Sequence, residues 1–258
     1  MMDIQEQMKA MRICVVVPTY NNAGTIVGVL QRILAITNDV IVVIDGCTDD
    51  TQQRLETIRG ELLSVVDYMP NRGKGHALVE GFKRAISKGF EYAITIDSDG
   101  QHFPEDIPLF VEALRQQPHS LVVGARNLHE QNMPGGNLFA NKFSNFWFFL
   151  QTGVALPDTQ TGYRLYPLNR LRGTQWITSR YEAELELLVN AAWRSVPIRS
   201  IPVRVYYPPQ NERVSHFRPV VDFMRISLLN TALCILAVVY GWPRMLIHRV
   251  KHRKERIK

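Results

Sequence analysis

Asp97, Asp99 and Gln101 stand on alternate residues at the end of an apolar run, in ITIDSDGQHFPEDI (94–107). In extended chain, residues two apart face the same side. Two carboxylates and an amide on one side repel each other unless a positive charge sits among them, and a hard divalent cation suits such an oxygen set. Turn chemistry is the alternative, because Ser-Asp-Gly also closes loops. An EF-hand is excluded: counting from Asp97, its required Gly and Glu positions hold His102 and Pro108. Pro104, Glu105 and Asp106 then read as a helix start, with Pro in the first turn and acids at the positive end.

A second stretch offers complementary chemistry. Asn71–Ala77 (NRGKGHA) is Gly-rich, carries Arg72 and Lys74, and opens a helix whose N-terminus can receive an anion. Neither the P-loop spacing nor a dinucleotide fingerprint is present. Beside a carboxylate pair, such a loop has what a metal-bridged diphosphate needs: flanking cations and backbone donors.

These residues need a frame. ICVVV (13–17), VIVVI (40–44), SVVDY (64–68), YAITID (92–97) and SLVVGA (120–125) read as buried strands. Helical patterns fall between them, over 25–36, from the DGCTDDT loop to about Leu63, from the MPNRGKGHA loop to near Gly89, and over 105–116. That alternation predicts an α/β fold with a parallel sheet covered on both faces. After Gly124 the rhythm breaks into a Gly/Pro-rich loop, an aromatic segment, a loop at 157–163, a helix over 182–195 and a strand over 198–206. Ligands of open α/β sheets bind beyond the carboxyl ends of the strands. The rule gathers PTYNN, IDGCTDD, PNRGKGHA and DSDGQH into one site.

Composition bounds the partners. The chain has 258 residues, 46% of them apolar, which suffices for a packed core. The net charge of +6 resides in the stretch from Arg244 to Lys258, with seven Lys or Arg and one Glu, so the rest is neutral and offers no nucleic-acid-binding face. Three scattered cysteines, Cys14, Cys47 and Cys234, make neither a zinc site nor a disulfide framework and fit a reducing compartment. The N-terminal residues lack a signal-peptide core. Ile226–Pro243 is an uncharged run at the lower edge of spanning length, and the basic tail after it favours contact with anionic lipid. Phe143–Pro157 is too short to span and is either an aromatic interfacial segment or a buried core helix.

In chain order, VVVPTYNN, VVIDGCTDDT, NRGKGHAL, TIDSDGQHFPEDIP, VVGAR and DTQTGYRLYP resemble glycosyltransferase family 2. The resemblance is to its dolichol-phosphate mannose synthase and polyprenyl-phosphate sugar transferase branch, and it covers roughly Arg12 to Arg218. It implies a GT-A fold, with a mostly parallel central sheet and helices on both faces, and an inverting transfer. The domain expectation is an N-terminal extension (1–11), the GT-A domain (12–218), and a C-terminal membrane-associating helix with a basic tail (219–258). By resemblance, Pro18, Tyr20 and Asp45 hold the donor nucleotide. Asp97, Asp99 and Gln101 surround Mg²⁺ or Mn²⁺ and the diphosphate, with Lys74 also at the donor. Arg126, Lys142 and Arg213 match cations that hold a lipid-phosphate acceptor.

Asn22 stands where the family usually has an acid. Ile44 replaces the first of two acids. These two departures bear on base recognition. His216 also follows Ser215 where Lys is common. A phosphate acceptor is already ionised, whereas a hydroxyl needs a base. Asp158 is the expected base, ahead of Glu182 and Glu184, with Glu184 read as a helix-surface residue.

The expected protein is a metal-dependent glycosyltransferase at the cytoplasmic membrane face, moving a sugar from a nucleotide-diphosphate donor to a lipid-linked acceptor. The alternatives are a non-catalytic sugar-nucleotide- or lipid-binding relative and a sugar-phosphate nucleotidyltransferase. The latter needs a basic Gly-rich loop after the first strand, where PTYNNAG has no cation.

Overall fold

A computed structural model of the chain describes residues 3–58, 60, 63–127, 135–173, 178–207 and 219–255. Seven strands form one sheet: β1 (Ile13–Thr19), β2 (Val40–Asp45), β3 (Leu63–Tyr68), β4 (Tyr92–Thr95), β5 (Leu121–Arg126), β6 (Arg164–Pro167) and β7 (Ile198–Val203). Their spatial order is β3-β2-β1-β4-β6-β5-β7. All neighbours pair parallel except β6, which runs antiparallel between β4 and β5. The predicted parallel sheet is thus mostly parallel. The short strand β6 escapes the period-two reading because it begins at a buried Arg and ends at a Pro.

Alternation along β1 explains the layers. Cys14 and Val16 face one side, packing with α4 (Lys74–Ser87), α6 (Gly135–Thr152), α8 (Glu182–Trp193) and α9 (Pro219–Leu236). Ile13, Val15 and Val17 face the other, toward α1 (Ile4–Ala10), α2 (Ile26–Leu34), α3 (Thr51–Glu56) and α5 (Ile107–Gln116). A short helix α7 (Leu168–Leu171) follows β6. The helix expected to reach Leu63 stops at Glu56.

Both outer segments belong to the core. Helix α1, in the N-terminal extension, buries Met8 completely against the sheet. Helix α9 passes through a π turn (Ala237–Gly241) into α10 (Trp242–Glu255) and buries Leu229, Leu233 and Ala237 in the cluster built by α4, α6 and α8. The Gln151 carbonyl of α6 accepts from the Trp193 and Trp242 indoles at 2.9 and 3.2 Å, and its amide donates to Asn230 Oδ1 at 2.9 Å. The opposite face exposes Met224, Leu228, Ile235, Val239, Leu246 and Val250. By length and composition, Met224–His248 is a helix able to cross a membrane.

The aromatic segment is a helix with one buried and one exposed face. On α6, Asn141, Ser144, Phe148 and Gln151 are buried, while Phe139, Phe146, Phe149 and Leu150 are exposed. A helix in water normally presents the reverse, with polar groups outward.

Candidate active site

The chain winds outward from β1 to β3 and returns at β4, which makes the carboxyl ends of β1 and β4 the switch point of the sheet. The two ends are tied together. Asn22 Nδ2 donates to Ser98 Oγ at 2.8 Å, and Thr25 Oγ1 donates to the Ser98 carbonyl at 2.6 Å. The amide where an acid is usual is therefore a cross-link of the crevice floor. Pro18 is buried at the end of β1 and Tyr20 is half-buried beside it.

Asp97 and Asp99 lie past the end of β4, not along it. Asp99 occupies a turn that Gly100 continues, so a turn and not strand alternation brings the acids together. Asp99 Oδ1 accepts from the Gln101 backbone N–H at 2.9 Å. Burial, reinforced by the charge of Asp97, raises the Asp99 carboxyl to about 6. A divalent cation relieves that kind of repulsion, so this donor set fits one. Among the described residues, no group of three or more His, Cys, Asp or Glu side chains could hold a metal ion. A cation here would complete its shell with substrate oxygens and water, as Mg²⁺ commonly does.

The Gly-rich loop departs from expectation. Asp45 is buried, its Oδ1 accepting from Arg72 N at 2.7 Å and its Oδ2 from Gly73 N at 2.8 Å and Asn71 Nδ2 at 2.9 Å. His76 N donates to the Ser179 carbonyl at 3.0 Å. The anion received at the start of α4 is the protein's own carboxylate, which leaves Asp45 poorly placed to bind ribose and the loop amides poorly placed to bind diphosphate. The glycines serve packing: a Cβ on Gly75 would lie 2.3 Å from the Ala183 Cβ.

Lys74 is no exposed loop cation. Its ammonium sits 2.7 and 2.9 Å from the two Asp97 oxygens and 3.1 Å from Glu184 Oε2. Burial alone would lower its pKa, but Asp97 and Glu184 outweigh that and hold it above the ordinary value. Burial would likewise raise Asp97, yet Lys74 keeps it below the usual carboxylate range. Glu184 is buried, contrary to its reading as a surface residue, because α8 is covered on nearly every face. Gly162 makes the arrangement possible: a Cβ there would lie 2.6 Å from the Lys74 ammonium and 2.7 Å from Asp97 Oδ2.

Arg126, at the end of β5, is held by Asp158. Its Nε donates to Oδ2 at 2.6 Å and its Nη2 to Oδ1 at 3.0 Å. Asp158 Oδ1 also accepts from Asn141 Nδ2 of α6 at 2.7 Å and Gln160 N at 3.0 Å. Burial would raise this carboxyl, but Arg126 holds it below its ordinary value. A fully buried carboxylate so engaged makes a poor base, and its geometry suits positioning Arg126 instead. Lys142 is exposed on α6. Arg213 and His216 lie outside the described residues.

Sequence reasoning missed Arg164, Asn141 and His102, and placed Glu184 on the wrong face of its helix. Arg164 is fully buried and donates to the carbonyls of Glu184 and Thr159 at 2.6 and 2.8 Å. Burial lowers the His102 imidazole to about 4 and keeps it neutral. The available signal was EAELELLV, where three acids interrupt an otherwise apolar helix without making a polar face.

The family model described as Glycosyl transferase family 2 matches residues 14–167. The chain is 28% identical over 215 residues to UDP-N-acetylglucosamine–dolichyl-phosphate N-acetylglucosaminyltransferase of Methanococcus voltae, covering 76% of this chain and 86% of that protein. It is 29% identical over 169 residues to undecaprenyl-phosphate mannosyltransferase of Micrococcus luteus, covering 63% and 69%. Among solved structures it is similar to glucosyl-3-phosphoglycerate synthase from Mycobacterium tuberculosis in complex with Mn²⁺, UDP-glucose and phosphoglyceric acid. The TM-score is 0.64 at 19% identity, over 91% of this chain and 82% of that one. With a GT-A sheet and a family match running from β1 through β6, this chain belongs to glycosyl transferase family 2 and is a glycosyltransferase.

Proposed function

We propose that this glycosyltransferase moves a sugar, with inversion, from a nucleotide-diphosphate sugar to a polyprenyl phosphate at the cytoplasmic face of the membrane. The Arg126–Asp158–Asn141 link carries this reading. It fastens a cation at the carboxyl end of β5 to α6, whose outer face is aromatic. A phosphate head bound at Arg126 would leave its lipid tail beside Phe139, Phe146 and Phe149. The named acceptors of the M. voltae and M. luteus relatives are such lipid phosphates.

Pro18 and Tyr20 would receive the nucleoside. Asp97, Asp99 and Gln101 would hold Mg²⁺ or Mn²⁺. When bound there, the cation neutralises the charge gained by the leaving diphosphate. An acceptor phosphate oxygen forms the new bond to the anomeric carbon as the old bond to the diphosphate breaks, and the electron pair leaves with the nucleoside diphosphate. One displacement inverts the centre. The acceptor is already ionised, so no side chain must take a proton, which agrees with an Asp158 committed to Arg126. Lys142 and Arg213 are proposed as additional acceptor cations. The exposed apolar faces of α6 and the C-terminal helix, with basic Arg244 and Lys251, would rest against anionic lipid.

The test incubates purified full-length protein and Mn²⁺ with labelled UDP- and GDP-sugars and either a short-chain polyprenyl phosphate or 3-phosphoglycerate. Solvent-extractable labelled lipid is expected, and Asp99→Asn abolishes it. Transfer only to 3-phosphoglycerate would overturn the lipid acceptor.

A further inference from the structure

We infer that Glu184 is a positioning residue for the Asp97 carboxylate: it provides a second seat for the Lys74 ammonium, which moves there when Asp97 takes up a divalent cation. The inference rests on Asp97 as a metal ligand. Lys74 faces both Asp97 oxygens, at 2.7 and 2.9 Å, and reaches Glu184 Oε2 at 3.1 Å. A dication on Asp97 would then lie a few ångströms from a fixed ammonium, in a site where charge is poorly screened. Relief is available on one side. Glu184 Oε1 is buried and has no hydrogen-bond partner. A buried carboxylate oxygen left unsatisfied is costly and gains from a charged donor.

The surroundings leave the ammonium little other room. Gly162 lies against the Lys74–Asp97 pair so closely that a Cβ there would sit 2.6 Å from the ammonium and 2.7 Å from Asp97 Oδ2. The Arg164 guanidinium donates to the Glu184 carbonyl at 2.6 Å, anchoring the helix turn that carries the second seat. Full transfer to Glu184 leaves Lys74 paired and frees Asp97, without moving either helix. Lys74 thus competes with the metal, and Glu184 determines how easily that competitor leaves.

Mn²⁺ affinity of the nucleotide-free, full-length protein, measured from the free-ion EPR signal, tests this without turnover. Lys74→Met should tighten Mn²⁺ binding, and Glu184→Gln should weaken it, each by about tenfold, the factor set by about 1.4 kcal/mol. The decisive comparison is the double variant, which should bind like Lys74→Met alone, because without the ammonium there is nothing to seat. If Glu184 only attracts the ion by its charge, Glu184→Gln weakens binding equally in both backgrounds, and the inference is overturned. Lys74→Met leaves no unpaired buried cation, so it remains informative should Glu184→Gln alone fail to fold; unchanged or weaker binding by Lys74→Met also overturns the inference. Wild type and Lys74→Met that both fail to bind Mn²⁺, even with UDP present, would instead refute Asp97 as a metal ligand, and the inference with it.

Discussion

Asp158→Asn is the sharpest test of how Arg126 is held. The substitution keeps the shape and removes the charge. Asp158 is fully buried and the Arg126 side chain is 16% exposed, so solvent screens the pair weakly. An amide cannot accept from Arg126 Nε, Arg126 Nη2, Asn141 Nδ2 and Gln160 N together, since one of its two atoms is itself a donor. Breaking a buried pair by neutralising one partner costs about 3–5 kcal/mol. Domains near this size lose about 2–4 °C of Tm per kcal/mol, so the expected fall is about 6–20 °C. Urea unfolding measures the loss directly. The pH dependence supplies a second signature. The folded Asp158 carboxyl is held below its unfolded value. Its contribution is complete above the ordinary carboxylate pKa of about 3.9 and is lost as pH falls through the lowered folded value. The variant should lack that part of the acid destabilisation. A loss below about 1 kcal/mol, the range of surface pairs, would refute the buried-pair argument.

Three further outcomes follow from exposure and burial. Phe146→Asp with Phe149→Asp should weaken flotation with anionic vesicles while leaving thermal stability within about 1 kcal/mol, because both rings face outward; unchanged flotation would remove α6 from the membrane surface. Deleting residues 226–258 should give aggregated protein, since Leu229, Leu233 and Ala237 leave the core; a soluble, cooperatively unfolding product would contradict the packing. Deleting residues 244–258 should weaken vesicle binding and flatten its salt dependence, because each lost cation contributes roughly 1 kcal/mol near an anionic surface and is screened by salt; unchanged affinity and salt dependence would place the attachment in the apolar faces alone.

The strands with continuous apolar runs were legible because a sheet covered on both faces demands them, as β1 and β2 show. The site's location followed from the connectivity. Less legible was what each polar residue faces. Asp45, Lys74 and Arg72 have the composition of a phosphate cradle, yet Asp45 caps the loop and Lys74 turns inward, outcomes fixed by neighbours far along the chain such as Glu184 and Ser179. Glu184 itself was misread because an acid on a helix ordinarily marks the wet face. The aromatic α6 resisted a choice between core and interface because it buries polar residues on one face and exposes aromatic ones on the other. The C-terminal run reads as an appendage by hydropathy alone; its docking depends on Gln151 and Trp193, which periodicity cannot link to it.

The antiparallel β6 has a consequence for how the chain folds during synthesis. Strands β3, β2, β1 and β4 and the helices among them are complete once β4 has emerged, and all three of their pairings can form by then. Strand β5 comes next from the ribosome, but it touches β4 only through β6, which is made later. The edge of β4 therefore stays open throughout synthesis of β5 and α6, presenting unpaired backbone groups beside apolar side chains. Open edges of this kind are where chains pair wrongly. Closure by Arg164–Pro167 recruits β5 into the sheet and brings Gly162 beside Asp97, and α8 then sets Glu184 against Arg164 before β7 adds to the edge of β5. The nascent chain thus covers the open edge of β4 in the step that walls the candidate site with Gly162.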